Sequence, residues 1–77
     1  MADKTLDTKG LSCPLPILKT KKAMSELAKG GTLEVFATDP GAVPDFEAFS
    51  AATGHALLEH SEDGGVHRFL LRRSERG

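Results

Sequence analysis

Cys13 is the only cysteine in the chain, and this denies the sequence both devices that usually hold very small domains together. A lone thiol closes no internal disulfide, and three scattered histidines beside it give no zinc spacing. With 77 residues there is no room for a second core. A domain this short hides only about 60% of the surface its unfolded chain exposes. The fold must therefore come from regular elements packed around one core, a single domain over residues 1–77 with its core at about 5–73.

Those elements are legible from periodicity. "KTLDTKG" alternates and closes on Gly10, which suits a strand from Thr5 to Thr8. From Pro14 to Ala28 the apolar spacing becomes helical, with Ile17, Thr20, Met24 and Leu27 on one stripe and Lys19, Lys22, Glu26 and Lys29 off it. Gly30 and Gly31 are expected to end that helix. In "TLEVFATD", Leu33, Val35 and Ala37 share one face and Glu34, Phe36 and Thr38 the other, a second strand ended by Asp39-Pro40-Gly41. A second helix is predicted from Pro44 to Gly54, with Asp45 and Glu47 near its positive end and Phe46, Phe49 and Ala52 or Thr53 buried. "HALLEHS" and "VHRFLLRR" read as strands around the turn "EDGG", and Ser74–Gly77 as a frayed tail. The order βαβαββ predicts an α+β fold: one four-stranded mixed sheet with both helices on one face. The other face is expected to be partly open, because Glu34 and Phe36 share it.

The motif Cys13-Pro14-Leu15-Pro16 opens the first helix. Proline suits a first helical turn, where its missing N–H would have no intrahelical partner. Cys13 then falls at the N-cap, with the Leu15 amide in reach of its sulfur. The positive end of the helix dipole lowers a thiol's pKa from the usual ~8.5 toward neutrality. Lys9, Lys19 and Lys22 can add positive potential, though exposed charges are screened. The plainer alternative is an inert packing cysteine. It leaves the second proline unexplained, and also the choice of cysteine where Ser or Asp would cap better. With no CxxC partner, an intramolecular dithiol cycle is excluded. An activated, accessible lone thiol suits passing a group between proteins, as a persulfide or a mixed disulfide.

Composition narrows the partners. A formal charge of −1 argues against a general nucleic-acid binder, and with no Tyr or Trp and only four Phe there is little to stack on bases. No apolar run is long enough to span a membrane. "MADKTLDTKG" has no signal-peptide core, so a cytoplasmic location is expected, where thiols stay reduced.

"LDTKGLSCPLPILKTKKAM", "DPGAVPDFEAFSAATGHALL" and the terminal "FLLRR" resemble the TusA family of sulfur carriers, also called SirA-like. The specific part is Gly10-Leu11-Ser12-Cys13-Pro14-Leu15-Pro16. The resemblance implies a two-layer α/β sandwich. It also implies that Cys13 holds sulfane sulfur as a persulfide, taken from a cysteine desulfurase or rhodanese-like donor and handed to another protein's cysteine. The protein would then be a sulfurtransferase-type carrier rather than a stand-alone turnover enzyme. It would need no cofactor or metal and could act as a monomer. Family routes include tRNA thiolation, molybdenum-cofactor synthesis and dissimilatory sulfur oxidation. Many relatives carry an aromatic in the second helix where Phe49 can stand in this chain.

Other residues have structural readings beside functional ones. Lys9, Lys19, Lys21 and Lys22 could form a basic rim for acidic partners, or simply a solvated helix face. His55 begins a strand after a helix cap, which suits a structural role better than a catalytic base. His60 and His67 face each other across the last hairpin, and two ligands make no closed metal site. The second functional reading is a non-catalytic regulatory or interaction module that binds protein or RNA, with Cys13 only structural.

Overall fold

Leu33, Val35 and Ala37 alternate with Glu34 and Phe36, and in the computed structural model all three are sealed from solvent on one sheet face. The structure describes residues 2–12 and 14–74. The elements are β1 (Lys4–Thr8), α1 (Leu15–Ser25), β2 (Thr32–Ala37), α2 (Ala42–Thr53), β3 (Ala56–Asp63) and β4 (Val66–Arg72), the βαβαββ order expected. Cys13, read as an N-cap, and Glu75–Gly77 of the tail read as frayed lie outside the described residues.

The strands form one mixed sheet in the order β1-β2-β4-β3. β1 runs parallel to β2, with Leu6 opposite Val35 and Thr8 opposite Ala37, while β4 is antiparallel to both β2 and β3. Parallel neighbours need a crossover, and α1 supplies it between β1 and β2. α2 likewise carries the chain from β2 to β3, past the place β4 later fills. Both helices pack on the face bearing Leu33, Val35, Ala37, Phe69 and Leu71, to which they contribute Ala23, Met24, Ala42, Phe46 and Phe49. The Phe46 and Phe69 rings stack with centroids 4.3 Å apart and mark the centre of the contact between the layers. On the other face Arg68 pairs with Glu34 and reaches Glu59 at 3.4 Å, so that surface is an ionic ladder.

Element ends differ from the sequence reading for identifiable reasons. α1 starts at Leu15, one residue later than expected, and the N-cap position predicted for Cys13 belongs to Pro14. Its other end comes at Ser25, well before Gly30. The Glu26 and Leu27 amides turn back to the Ala23 and Met24 carbonyls, and the Arg73 guanidinium binds the Ser25 and Leu27 carbonyls. A cation on the last carbonyls suits the negative end of the helix. α2 begins at Ala42, not Pro44, which leaves Pro44 in the first turn where it displaces no bond. Ala52 and Thr53 are exposed rather than buried. Thr53 turns its hydroxyl onto the Phe49 carbonyl at 2.7 Å, and the His55 ring packs against Phe49 instead. β3 is longer than expected and is interrupted by a register shift between Leu57 and Glu59. The hairpin turn is Gly64-Gly65, both at positive φ, which matches the sheet's twist.

Candidate functional site

The carboxyl ends of β1, β2 and β3 point the same way, so three connections gather at one end of the sheet: the described residues of the stretch 9–14, residues 38–41 and the Gly64-Gly65 turn. The amino ends of α1 and α2 open there as well. The motif belongs to the first of these connections, and its flanks are fixed in three ways. The Thr8 hydroxyl donates to the Phe36 carbonyl at 2.6 Å and ties the end of β1 to β2. Gly10 has φ +83, a value that glycine accommodates most easily, and its N–H donates to Thr38 Oγ1 at 2.9 Å. The Leu11 N–H returns to the Thr8 carbonyl at 3.1 Å and closes a turn.

Beyond the cysteine, the Leu15 N–H donates to the Ser12 carbonyl at 3.0 Å. The amide expected to reach the cysteine sulfur therefore already has a backbone acceptor. The Leu18 N–H donates to the Pro14 carbonyl at 3.1 Å, the first bond of α1 into this turn. Pro16 is buried, while Pro14 faces solvent. One proline thus anchors the helix start and the other sits at the surface. Leu15 and Leu18 are 44% and 54% exposed. They put apolar surface on the first turn of α1, beside the motif, while Leu11 is half-buried.

Lys9 stands apart from Lys19 and Lys22. Lys9 lies over the Phe36 ring at 5.3 Å and pairs with Asp7 at 3.4 Å, on the sheet face away from the helices. The Lys9 backbone N–H also donates to Asp7, and this bond first, then the lysine charge, holds the Asp7 carboxyl below its ordinary range. Lys19 and Lys22 instead line an open groove of about 200 Å³ between α1 and the β1 edge, with Lys4, Leu6, Ala23 and Glu26. Within it Lys4 Nζ donates to Glu26 Oε1 at 2.5 Å. Lys21 is exposed on the same helix.

His55 is turned inward as a structural group. Its Nδ1 accepts the Ser74 N–H at 2.8 Å, and its carbonyl accepts the Ser50 hydroxyl at 2.6 Å. Among the described residues, no group of three or more His, Cys, Asp or Glu side chains could hold a metal ion. No described helix is long and apolar enough to cross a membrane. The contribution of Thr38 escaped the sequence reading, since it lies 28 positions from the glycine it binds. Only the parallel pairing of β1 with β2 makes them neighbours. Leu18 was also passed over, although its place four residues after Pro14 puts it near the helix start.

The family model described as sulfurtransferase TusA matches residues 4–73. The chain is 50% identical over 72 residues to the sulfur carrier protein TusA of Allochromatium vinosum, covering 94% of this chain and 95% of that one. It is 51% identical over 72 residues to a putative sulfur carrier protein of Bacillus subtilis, covering 94% of this chain and 96% of that one. The crystal structure of a SirA-like protein from Desulfitobacterium hafniense is similar at a TM-score of 0.81 and 27% identity, over 94% of this chain and 99% of that one.

Proposed function

Because this chain belongs to the TusA family, we propose that it carries sulfane sulfur as a persulfide on Cys13 and relays it to a cysteine of a partner protein. The Cys13 thiolate attacks the outer sulfur of a donor persulfide. A new S–S bond forms on Cys13, the donor's S–S bond breaks, and the donor leaves as a thiolate. In the second half an acceptor thiolate attacks the outer sulfur of the Cys13 persulfide and regenerates the Cys13 thiolate. Sulfur changes hands with no net oxidation and no cofactor.

The family match over residues 4–73, in a chain whose only thiol sits in Cys-Pro-x-Pro, carries this reading. The anchored flanks support it. Gly10 is tied to Thr38 and Leu15 to Ser12, so both sides of the cysteine are held against the sheet and the start of α1. The exposed Leu15 and Leu18 offer apolar contact to a docking donor or acceptor. The donor is a cysteine desulfurase or a rhodanese-like protein. Routes to tRNA thiolation, molybdenum-cofactor synthesis or sulfur oxidation differ only in the acceptor, and all of them place the carrier in the cytoplasm. Incubation with a desulfurase and cysteine adds the mass of one sulfur atom, and a reductant removes it. Gain of that mass by a Cys13→Ser protein would overturn the relay.

A further inference from the structure

His60 and His67 stand on β3 and β4 with His60 Nε2 and His67 Nδ1 3.1 Å apart. Both lie on the helix-covered side of the sheet, at its margin. His60 pairs in register with Phe69, and His67 with Glu62 and Ala37. His60 stacks on Phe69 with centroids 4.9 Å apart and planes at 14°, and Phe69 stacks in turn on Phe46. The ring pair is therefore stacked onto the buried aromatic pair of the core, while His60 itself is exposed. The row Thr8–Ala37–His67–Glu62 crosses the whole sheet. It puts His67 two strands, roughly 10 Å, from the last residue of β1, at the end where the motif connection emerges.

We infer that His60 and His67 form an open, bidentate site for a divalent transition-metal ion of borderline softness, taking Cu²⁺ more tightly than Zn²⁺. Imidazole nitrogens suit both ions, and the Irving–Williams order ranks copper first. With metal–nitrogen bonds of about 2.05 Å, a separation of 3.1 Å corresponds to an N–metal–N angle of about 100°. That angle lies between square-planar and tetrahedral values, so the two nitrogens are already spaced as ligands of one ion. The contact is now an N–H donated by one ring to the lone pair of the other. On binding, that proton moves to the opposite nitrogen of the donor ring. Two metal–nitrogen bonds replace two metal–water bonds, and no net charge is lost. Exposure of His60 lets its ring tilt until both lone pairs converge. Two ligands do not close a structural site, and water fills the remaining positions. Glu62, opposite His67, adds negative charge nearby, although its Oε2 accepts the Gly65 N–H at 2.7 Å.

The site is independent of the sulfur chemistry, and the test removes the competing thiol. Cys13→Ser protein is titrated with Cu²⁺, with stoichiometry read by calorimetry and location by paramagnetic broadening of amide resonances. One equivalent binds, and broadening centres on residues 60, 62, 67 and 69. His60→Gln or His67→Gln in that background weakens binding at least ~10-fold, the loss that removing even an outer-shell partner brings. His55→Asn leaves the affinity unchanged. The amide spectrum of each variant shows that it is folded. Broadening centred on His55 or the N-terminal amine, undiminished binding by both glutamine variants, or the absence of saturable binding would each overturn the inference.

Discussion

The Gly10 N–H donates to Thr38 Oγ1 across 2.9 Å, and this single bond fastens the connection entering the motif to the connection entering α2. Thr38 is exposed, so water can take over either group and the cost of losing the bond is modest, about 0.5–1 kcal/mol. Its consequence is local. Thr38→Val is expected to lower the melting temperature by roughly 2–8 °C while the Gly10 amide exchanges with solvent markedly faster. Thr38→Ser keeps the acceptor and should keep the protection. Equal exchange in all three proteins would mean that the bond does not hold the loop.

Gly10 also has φ +83, with open space where a Cβ would go. Gly10→Ala therefore separates backbone strain from crowding. The left-handed conformation alone is expected to cost about 1–2 kcal/mol, read in a urea melt. A neutral result would show that the loop readily adopts another path.

How far the sequence can be read follows from how local each signal is. The alternation of Leu33, Val35 and Ala37 is local, and all three are buried as their spacing requires. The end of α1 is only partly local. The Glu26 and Leu27 amides turn back on Ala23 and Met24, but the Ser25 and Leu27 carbonyls go to Arg73, 46 to 48 positions away, and the glycines that looked like the cap pair with the Arg73 backbone at the entry to β2. The lysines mislead for a similar reason. Lys9 follows a strand whose Asp7 points away from the helices, while Lys19 and Lys22 lie on a helix stripe along the opposite side of β1. Nearness in sequence suggested one rim, and the parity of β1 divides it between two faces. The motif itself was legible as a helix start, but the partners of its flanks depend on parallel pairing, for which spacing gives no register.

Helix starts bear partial positive charge, and the proposed relay needs the Cys13 thiolate. The rate of Cys13 alkylation against pH is expected to reach half its maximum clearly below the ~8.5 of an unperturbed thiol. Added salt should raise the midpoint toward that value, because the fields of the helix end and of the exposed lysines are both screened. A midpoint at or above 8.5 would remove the electrostatic basis for the relay.

Thr20 is sealed in the core, and its hydroxyl has no hydrogen-bond partner among the described residues. Val has nearly the same shape and no polar atom to desolvate. Thr20→Val is expected to stabilise the fold by about 1 kcal/mol, which in a domain of this size raises the melting temperature by roughly 4–8 °C. A loss of stability would show that the hydroxyl is satisfied after all.

His55 gives the fold a pH dependence whose sign can be worked out. Burial first, and then the positive charge of Arg73, hold its pKa below the ordinary 6.5, so the folded protein prefers the neutral ring. The geometry agrees, because Nδ1 must keep its lone pair to accept the Ser74 N–H at 2.8 Å. Between the depressed folded value and 6.5 the unfolded chain binds more protons than the folded one, so unfolding becomes easier as pH falls. The stabilisation is complete above the unfolded pKa and is lost as pH drops through the folded one. Asn at this position offers a side-chain oxygen to the same N–H and cannot titrate. Denaturant melts of the two proteins from pH 8 to pH 4.5 should therefore diverge. The stability of the native chain falls relative to His55→Asn as pH drops below 6.5, and the gap stops changing once the folded ring is also protonated. Parallel curves throughout would mean that His55 titrates alike in the folded and unfolded states, and that its contact with Ser74 does not depend on the neutral ring.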